Sequence, residues 1–587
     1  MGYHSLSECI VDLEKHHQLI RIKDEVDPHL EMASIHLKMY ADGGPAILFE
    51  KVKGSRFPAV SNLFGTPERS RFIFRDTWDK TKELIALRND PEMAIRKPLS
   101  YVGSAMLAFK SFPLKTFRRN FSTCKISDLP QIINWPMDGG AFVTLPAVYT
   151  EDPDKPGIRN SNLGMYRIQL SGNEYIPDQE IGLHYQLHRG IGVHQSKYQS
   201  KGQPMKVSIF VGGPPAHIFS AVMPLPENVS ELTFAGILNN RRFRYFYDQD
   251  GYCINADADF IITGEVHPGE LKPEGPFGDH LGYYSLKHPF PVMRVKNVYH
   301  RKDAIWPFTV VGRPPQEDTS FGNLIHELTG DAVKKELPGV NEVHAVDAAG
   351  VHPLLLAIGS ERYTPYLKEK RPSELITISN HILGTGQLSL AKWLFIAAKE
   401  DDPGLTAKNE TQFFRHILER FDPSRDLHFH TNTSIDTLDY SGDGLNTGSK
   451  LVVAAYGPKL RELGTQLPAM DLPDGFKNPL IVYSGILIVS GPVFTDYDNA
   501  KIQIKNLCSA ISPELVHSFP MMVICDDSDF VSKSFQNFLW VTFTRSNPSH
   551  DVYGVKDFLV NKHWGCHGPF IIDARSKPHH APVLERP

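Results

Sequence analysis

The sequence predicts a multidomain α/β protein in which two α/β domains flank a central domain of many short strands. At 587 residues, the chain is longer than one hydrophobic core usually serves. The spacing of apolar residues also changes twice along the chain, near residues 115 and 318. We therefore predict domains at residues 1–115, 116–318 and 319–587.

The first domain is predicted to alternate helices and strands. Ser5 and Glu8 form a capping box, which predicts that an amphipathic helix begins there. Strand-like runs follow at residues 46–49 and 57–60, and a basic helical pattern lies near residues 78–97. This succession is typical of a small α/β domain.

The central domain is predicted to be a barrel-like sheet. Runs of β-branched and aromatic residues alternate with glycine- and proline-rich turns at residues 142–145, 206–211, 260–262 and 308–311. One helical pattern, at residues 229–239, interrupts these strands.

The C-terminal domain is an α/β pattern that repeats itself. A pair of aspartates, followed at a fixed distance by Arg-x-x-Pro-Ser-x-Asp, occurs twice with identical spacing. The first copy comprises Asp401, Asp402, Arg420, Pro423, Ser424 and Asp426, and the second comprises Asp526, Asp527, Arg545, Pro548, Ser549 and Asp551. The repeat predicts a duplicated strand–helix–strand unit at about residues 391–440 and 516–575.

Composition and charge argue against several classes of protein. The formal net charge of −5 gives no electrostatic footprint for nucleic acid or an anionic membrane. The six cysteines include no CxxC pair, which argues against a disulfide framework, a structural zinc knuckle or a thioredoxin-like redox site. The N-terminus lacks the apolar stretch of a signal peptide, and the most apolar segment, residues 479–494, is too short and interrupted to span a bilayer. We therefore expect a cytoplasmic protein without an integral membrane segment.

One set of polar residues has the chemistry of a metal site. Asn162, His188 and Glu231 offer an amide oxygen, an imidazole and a carboxylate, a mixed set that suits Mn²⁺ or a similar divalent ion. Each residue also has a simpler explanation, because polar residues occur on strand edges, most histidines bind no ligand, and glutamate is favourable at the start of a helix. Spacing alone leaves both interpretations open.

A second set places two carboxylates in a rigid turn. Glu274 and Asp279 belong to the segment Glu-Gly-Pro-Phe-Gly-Asp, where repulsion and a nearby arginine would separate their pKa values. A polar surface turn explains the same residues equally well. Other catalytic motifs fail: the glycine-rich stretch 442–450 departs from the Walker spacing, and GxSxG, HExxH and GxGxxG do not occur.

These segments, taken together and in this order, resemble the UbiD family of reversible decarboxylases. The resemblance runs from the N-terminus to the repeated unit. The matching segments are residues 62–67, 162–167, 188–190, 224–231, 274–280 and 312–315. Asp279 followed by His280 is more like the 3-polyprenyl-4-hydroxybenzoate carboxy-lyase branch than the fungal ferulic acid decarboxylases, which have glutamate at that position.

The resemblance implies a prenylated FMN cofactor and the residues that bind it. Asn162, His188 and Glu231 match ligands that tie Mn²⁺ to the flavin phosphate, and Met223 matches a backbone position near a potassium ion. The residues that match positions lining the flavin or reaching its phosphate are Met165, Tyr166, Arg167, Arg189, Gly190 and Lys450. A flavin prenyltransferase would supply this cofactor.

The resemblance also implies a reaction and an architecture. Arg167, Glu274 and Asp279 match an acid–arginine–acid network in which Asp279 delivers a proton to the carbon that loses CO2. The implied substrate is an aromatic, heteroaromatic or α,β-unsaturated carboxylic acid, with (polyprenyl) hydroxybenzoates among the candidates. The implied fold has a central split β-barrel like that of flavin reductases and a C-terminal α/β domain that mediates assembly into a homodimer or homohexamer.

The sequence departs from the family pattern at two places and leaves two alternatives. Residues 173–182 form a longer segment than expected, and the repeated unit replaces a shorter tail. A flavin reductase-like oxidoreductase using FMN, or a non-catalytic flavin-binding protein, would use a similar fold. The filled acid–arginine–acid positions favour the decarboxylase, because an oxidoreductase needs no such network and a non-catalytic relative usually loses its acids or ligands.

Overall fold

The chain forms two compact units in the computed structural model. The structure describes residues 2–89, 107–117, 120–185, 190–223, 225, 230–363, 366 and 368–585. The first unit comprises Met1–Asp279, Tyr283–Thr329 and Val583–Pro587, and the second comprises His280–Gly282 and Gly330–Pro582. The division into three domains stays a prediction.

The first unit opens with the predicted capped helix and a four-stranded sheet. The N–H of Glu8 donates to Oγ of Ser5 at 3.2 Å at the start of the helix Leu6–Lys15, which confirms Ser5 as the N-cap. The reciprocal half of the capping box differs, because the Glu8 carboxylate accepts the N–H of His4 rather than that of Ser5. In sheet order, the strands are Leu19–Val26, Ala46–Val52, Ala59–Ser61 and Trp306–Pro307.

The predicted strand at residues 308–311 is wrong. The strand there is Trp306–Pro307, and residues 308–311 belong to neither a strand nor a helix. The N–H of Thr309 donates to Oγ1 of Thr144 at 2.9 Å rather than to a neighbouring strand. A β-branched composition indicates a pleated, half-buried environment but does not specify the partner of each backbone donor.

An antiparallel nine-stranded sheet forms the centre of the first unit. Its strands, in sheet order, are Phe142–Val143, Ile168–Gln169, Glu180–Leu183, His288–His300, Phe260–Glu274, Met205–Val211, Pro146–Glu151 and Ser161–Gly164, with Ser122–Thr123 also paired to His288–His300. Within the described residues, the first and last strands of this order do not pair with each other, so the sheet is open. The split barrel therefore stays a prediction.

Two small sheets and several helices complete the first unit. The strands are Cys253–Asn255, Arg244–Tyr247 and Leu114–Lys115 in one sheet, and Phe277–Gly278 and Tyr284–Ser285 in the other. The helices, after the first, are Glu31–Ala41, Pro67–Ile73, Trp78–Asn89, Gly190–Ser200, Pro215–Ser220, Glu231–Leu238 and Glu317–Glu336, the last of which continues into the second unit.

The second unit contains two five-stranded sheets with the same pattern of pairing. In sheet order, the first has Val340–Ala345, Leu354–Gly359, Trp393–Ala398, Thr447–Ala455 and Leu427–Ser434, and the second has Lys477–Tyr483, Ile486–Ser490, Met521–Cys525, Phe570–Asp573 and Val552–Gly554. In each sheet, the three middle strands are parallel and the two edge strands are antiparallel to their neighbours. The middle strands are almost entirely buried, as expected of parallel strands covered on both faces.

Helices and one hairpin accompany these two sheets. The helices are Glu374–Leu383, Glu410–Arg420, Tyr497–Ala510, Ser528–Ser532, Phe535–Thr544 and Pro548–Asp551, and the hairpin strands are Asp557–Val560 and His563–Cys566. In the part of the chain that the structure describes, no helix has the length and apolar character needed to cross a bilayer.

Candidate active site

Arg167 lies between two acidic side chains in the first unit. Its Nε and Nη2 donate to the two carboxylate oxygens of Glu274 at 2.8 and 2.7 Å, and its Nη1 donates to Oδ2 of Asp279 at 2.5 Å. Glu274 is 0% exposed and Asp279 is 6% exposed. The structure therefore brings the three predicted catalytic residues together in a buried network, although the two acids lie more than a hundred residues after the arginine.

A strand end and a tight turn position the two acids. Glu274 is the last residue of the strand Phe260–Glu274, and Gly275 follows it with φ of +88°, a conformation that glycine adopts without steric cost. The backbone N–H of Asp279 donates to the carbonyl of Tyr283 at 3.0 Å. Both carboxylates are thus attached to backbone that hydrogen bonds or turn geometry hold in place.

The charges of this network are compensated inside it. One guanidinium forms ion pairs with both carboxylates, so its positive charge faces two negative groups that are largely removed from water. The Phe277 ring lies 4.8 Å from the guanidinium carbon of Arg167, which adds a cation–π contact. The arrangement therefore holds both carboxyl groups in fixed positions beside one arginine.

Asp138 is a third acid beside the network, and no pattern in the sequence singled it out. Its Oδ1 accepts the N–H of Gly278 at 2.8 Å, and its Oδ2 accepts the N–H groups of Asn134 and Trp135 at 3.1 and 3.0 Å. Burial raises the pKa of Asp138 to about 7, although these donors and Arg167 act in the opposite direction. The only local signal was an aspartate before two glycines, which is typical of any turn.

Asp138 is expected to make the first unit less stable as the pH rises from about 4 to about 7. Its folded pKa lies above its ordinary value of 3.8, so the folded state binds a proton that the unfolded state has lost. This single group gives a slope on the order of 1 kcal/mol per pH unit over that window, and the stabilisation is lost as the pH passes the folded pKa. Urea unfolding is measured from about pH 4.5 to about pH 8, which covers most of the range in which this group titrates. The free energy of unfolding should depend less on pH for Asp138→Asn than for wild type. Asp303→Asn, an exposed control, should keep the wild-type slope.

The long segment at residues 173–182 is attached to the catalytic turn. The side-chain amide of Asn173 donates to the carbonyl of Gly275 at 2.7 Å and to Oε1 of Gln169 at 3.2 Å, and the same Oε1 accepts the N–H of Gly275 at 2.9 Å. Tyr175 is buried nearby, where burial and the charge of Glu274 raise the pKa of its hydroxyl. Gln169 and Asn173 therefore hold both polar groups of the residue that follows Glu274.

Removing the Asn173 side chain is expected to slow turnover more than it weakens cofactor binding. Asn173 has φ of +49°, so Asn173→Gly keeps the backbone conformation while it removes both hydrogen bonds. A loosened turn displaces Glu274, and misplacement of about 1 Å costs roughly 100-fold in rate; we expect kcat to fall about 10- to 100-fold. Steady-state kinetics should show this loss, whereas Asn561→Gly, at an exposed position with φ of +50°, should behave as wild type.

Asn162 and Glu231, two of the three predicted metal ligands, lie on neighbouring elements, and the third, His188, lies outside the described residues. Asn162 lies on the strand Ser161–Gly164, and the N–H of the next residue, Leu163, donates to Oε2 of Glu231 at 3.1 Å. A Cβ on Gly190 would lie only 2.0 Å from Oδ1 of Asn162. In the sequence, His188 lies two residues before Gly190.

The Glu231 carboxylate is suited to a cation. Burial raises its pKa to about 7, and among the described residues the groups that lower this pKa are backbone N–H donors. Among the described residues, Glu231 forms no ion pair. The residue is half-buried; a carboxylate that is largely removed from water without a counter-charge is costly, and a divalent ion would supply that charge. Together with the amide oxygen of Asn162 on the neighbouring strand, the Glu231 carboxylate fits a metal ion that prefers oxygen ligands.

The predicted flavin-lining residues adjoin this set where they are described. The N–H of Met165 donates to the carbonyl of Ala221 at 2.9 Å, and the amide of Asn162 donates to the hydroxyl of Tyr166 at 3.4 Å. A Cβ on Gly164 would lie 2.3 Å from the Tyr166 ring, so this ring position depends on the glycine.

The other predicted cofactor residues remain untested. Arg189 lies outside the described residues. The carbonyl of Met223 accepts the N–H of Leu225 at 2.9 Å. Lys450 lies in the second unit, where its ammonium donates to the carbonyls of Ser389 and Ala391 at 2.7 and 2.8 Å and burial lowers its pKa to about 8. Its role at a flavin phosphate stays a prediction.

Three protein-family models match successive parts of the chain. They describe the N-terminal domain of 3-octaprenyl-4-hydroxybenzoate carboxy-lyase at residues 10–88, its Rift-related domain at residues 109–314 and its C-terminal domain at residues 319–455. A protein of Chlamydia pneumoniae, named as one of the subunits of 4-hydroxybenzoate decarboxylase, is 37% identical over 97% of this chain and 93% of its own length.

Solved structures share the fold at lower identity. Vanillic acid decarboxylase of Sedimentibacter hydroxybenzoicus, in its closed form, matches with a TM-score of 0.65 and 22% identity over 81% of this chain and 97% of that chain. An evolved dimeric form of the UbiD-class enzyme HmfF from Pelotomaculum thermopropionicum, in complex with prFMN, matches with a TM-score of 0.57 and 21% identity over 79% of this chain and 97% of that chain. At this identity, the likeness shows the fold.

Proposed function

The chain belongs to the UbiD family and is a carboxy-lyase, and we propose that it removes CO2 from an aromatic, heteroaromatic or α,β-unsaturated carboxylic acid with prenylated FMN as cofactor. The observation that carries this proposal is the buried contact of Arg167 with both Glu274 and Asp279. A flavin reductase has no use for such a network, and a non-catalytic protein has no reason to keep two carboxylates buried at this cost.

Asp279 is the proposed general acid. When the bond between the substrate carbon and its carboxylate breaks and CO2 leaves, an electron pair remains on that carbon. A bound prenylated flavin supplies the electron sink that no ordinary side chain provides. Asp279 then gives its proton to the carbon, while Arg167 and Glu274 hold its position and restrict its ionisation.

Asn162, His188 and Glu231 are the proposed ligands of a divalent ion, Mn²⁺, that binds the flavin phosphate. The contact between Glu231 and the strand that carries Asn162 supports this assignment, as does the half-buried Glu231 carboxylate, whose pKa burial raises. Met165, Tyr166, Arg167, Arg189 and Gly190 are the proposed flavin-lining residues, with Lys450 at the phosphate and a potassium ion at the Met223 carbonyl. The HmfF relative in complex with prFMN supports the choice of cofactor.

Hydroxybenzoates are the substrates to be tested first. The Chlamydia pneumoniae relative is named for 4-hydroxybenzoate and the Sedimentibacter relative for vanillic acid, both of which are phenolic acids. A polyprenyl hydroxybenzoate belongs to the same class, and either direction of the reaction fits the proposed residues.

We also propose the remaining features of the architecture. The common pairing order of the two five-stranded sheets supports an internal duplication in the C-terminal region. The open nine-stranded sheet is proposed to be the split barrel, within domains at residues 1–115, 116–318 and 319–587. The protein is proposed to assemble into a homodimer or homohexamer in the cytoplasm. A flavin prenyltransferase is proposed to supply its cofactor.

Co-expression with a flavin prenyltransferase tests this function. The purified protein should carry a flavin with the mass and absorbance of prenylated FMN and should release CO2 from at least one acid in a panel of hydroxybenzoates, heteroaromatic acids and cinnamates. Protein expressed without the prenyltransferase is the control. Reduction of ordinary FMN by a nicotinamide donor, without CO2 release from any acid, would instead identify an oxidoreductase.

A further inference from the structure

A second group of metal-type ligands lies within the second unit. One ring nitrogen of His280, one of His352 and one carboxylate oxygen of Asp436 all lie within 4.8 Å of one another. The two imidazole rings are 6.1 Å apart between centroids and nearly perpendicular, at 83°. None of these residues belongs to the ligand set predicted for the flavin metal.

The backbone directly before His352 has an unusual, strained conformation. Gly350 and Val351 have φ of +82° and +70°, and a positive φ is a true outlier for a β-branched residue such as valine. Such strain persists only where the surrounding structure imposes it, and it occurs often at functional sites. His352 follows directly, and its Nδ1 contacts the carboxylate of Asp436.

His280 and Asp436 are also fixed by their surroundings. Asp436 is 1% exposed, and its Oδ1 accepts the N–H of Leu438 at 3.0 Å, which orients the carboxylate. The residue after His280, Leu281, is buried, and its carbonyl accepts the indole N–H of Trp540 at 2.8 Å. Three ligands from three separate segments are thus held toward one point before any ion binds.

The donor set is that of zinc. Two imidazoles and one carboxylate, with a fourth position left for water, match the composition of four-coordinate Zn²⁺ sites. Bonds of about 2.0–2.1 Å in a tetrahedron place ligand atoms roughly 3.3 Å apart. The three ligand atoms lie within 4.8 Å of one another, so side-chain movements of up to about 1.5 Å bring them to this spacing. The set proposed for the flavin metal, by contrast, contains more oxygen than nitrogen, which suits Mn²⁺.

We propose that His280, His352 and Asp436 bind one Zn²⁺ ion, at a site separate from the flavin metal. The ion neutralises the buried Asp436 carboxylate and fixes residues 280–282 within the second unit. In the chain, these residues directly follow Asp279. Without an ion, the His352 ring contacts the Asp436 carboxylate directly, and a metal titration tests whether an ion replaces this contact.

Co²⁺ is the probe, because it replaces Zn²⁺ and absorbs visible light with an intensity that reports four-coordinate geometry. Tag-free, full-length protein, stripped with a chelator, is titrated with CoCl2 in the wild-type form and as His280→Gln, His352→Gln and Asp436→Asn. Each substitution removes one ligand and preserves size, and three variants keep the test valid if one fails to fold. His517→Gln, at an exposed position, is the matched control, and Glu231→Gln weakens the other proposed metal site.

The wild type, His517→Gln and Glu231→Gln should all develop the four-coordinate spectrum with one equivalent of Co²⁺. Folded ligand variants should bind Co²⁺ at least 10-fold more weakly or lose the spectrum, and Zn²⁺ should displace Co²⁺ from the wild type. The proposal is overturned if the wild type shows no such spectrum, if the spectrum survives in the ligand variants, or if Glu231→Gln alone abolishes it.

Discussion

Decarboxylation by the Asp279→Asn variant is expected to fall about 1000-fold or more, while prenylated FMN remains bound. General acid catalysis contributes roughly 10²- to 10⁴-fold, and this substitution removes the transferable proton. An asparagine oxygen still accepts the hydrogen bond that Nη1 of Arg167 now donates to Asp279, so the local structure should persist. Steady-state CO2 release gives the rate, and the absorbance and mass of the purified protein report the cofactor.

A matched substitution separates this loss from general effects. Asp303 is exposed, so Asp303→Asn changes the same functional group at a site without a role in the network. Because surface substitutions usually have small effects, we expect its kcat to remain within about twofold of wild type. Turnover by Asp279→Asn within a few-fold of wild type would remove Asp279 from the proposed reaction.

Replacing Arg167 with alanine is expected to destabilise the first unit by about 3–5 kcal/mol and to abolish turnover. The guanidinium is the shared partner of Glu274 and Asp279, and the side chains of all three residues are less than one tenth exposed. Removing one member of a buried ion pair leaves uncompensated charge, which costs about 3–5 kcal/mol. Urea unfolding followed by circular dichroism measures the loss.

Two further variants complete this test. Arg294 pairs with Glu270 at the surface, so Arg294→Ala should cost no more than about 1 kcal/mol. Arg167→Lys keeps the charge but lacks the planar fork that binds both oxygens of Glu274, so it should recover part of the stability and little of the turnover. Equal stability of Arg167→Ala and wild type would show that the buried network is not held by this arginine.

Much of the fold was predictable because local patterns specify it. The N-cap at Ser5 and the buried strand patterns in the C-terminal region depend on residues close together in the sequence. The approach of Arg167 to Glu274 and Asp279 was predictable only from the family resemblance. In one continuous strand, the side chains of Asn162 and Arg167 would point to opposite faces, because they are five residues apart. The strand instead ends at Gly164, so this alternation does not extend to Arg167.

The residues that support the network were not predictable. Asp138, Gln169 and Asn173 bind backbone groups, and a backbone N–H or carbonyl has no signature in the side-chain sequence. The error at residues 308–311 has the same origin, because the partner of the Thr309 N–H is a threonine side chain far away in the sequence. Sequence patterns thus identify the acids of this site better than the contacts that hold them.

The position of Ser161–Gly164 at the end of the nine-stranded order has a consequence for aggregation. An edge strand presents unpaired backbone groups that a strand of another molecule can extend. Leu163 is 1% exposed, and its N–H donates to the Glu231 carboxylate at the start of the helix Glu231–Leu238, which lies against this strand. This helix and its carboxylate therefore occupy the edge where intermolecular β-pairing would occur, and a protein that loses the Glu231 side chain should be more prone to self-association.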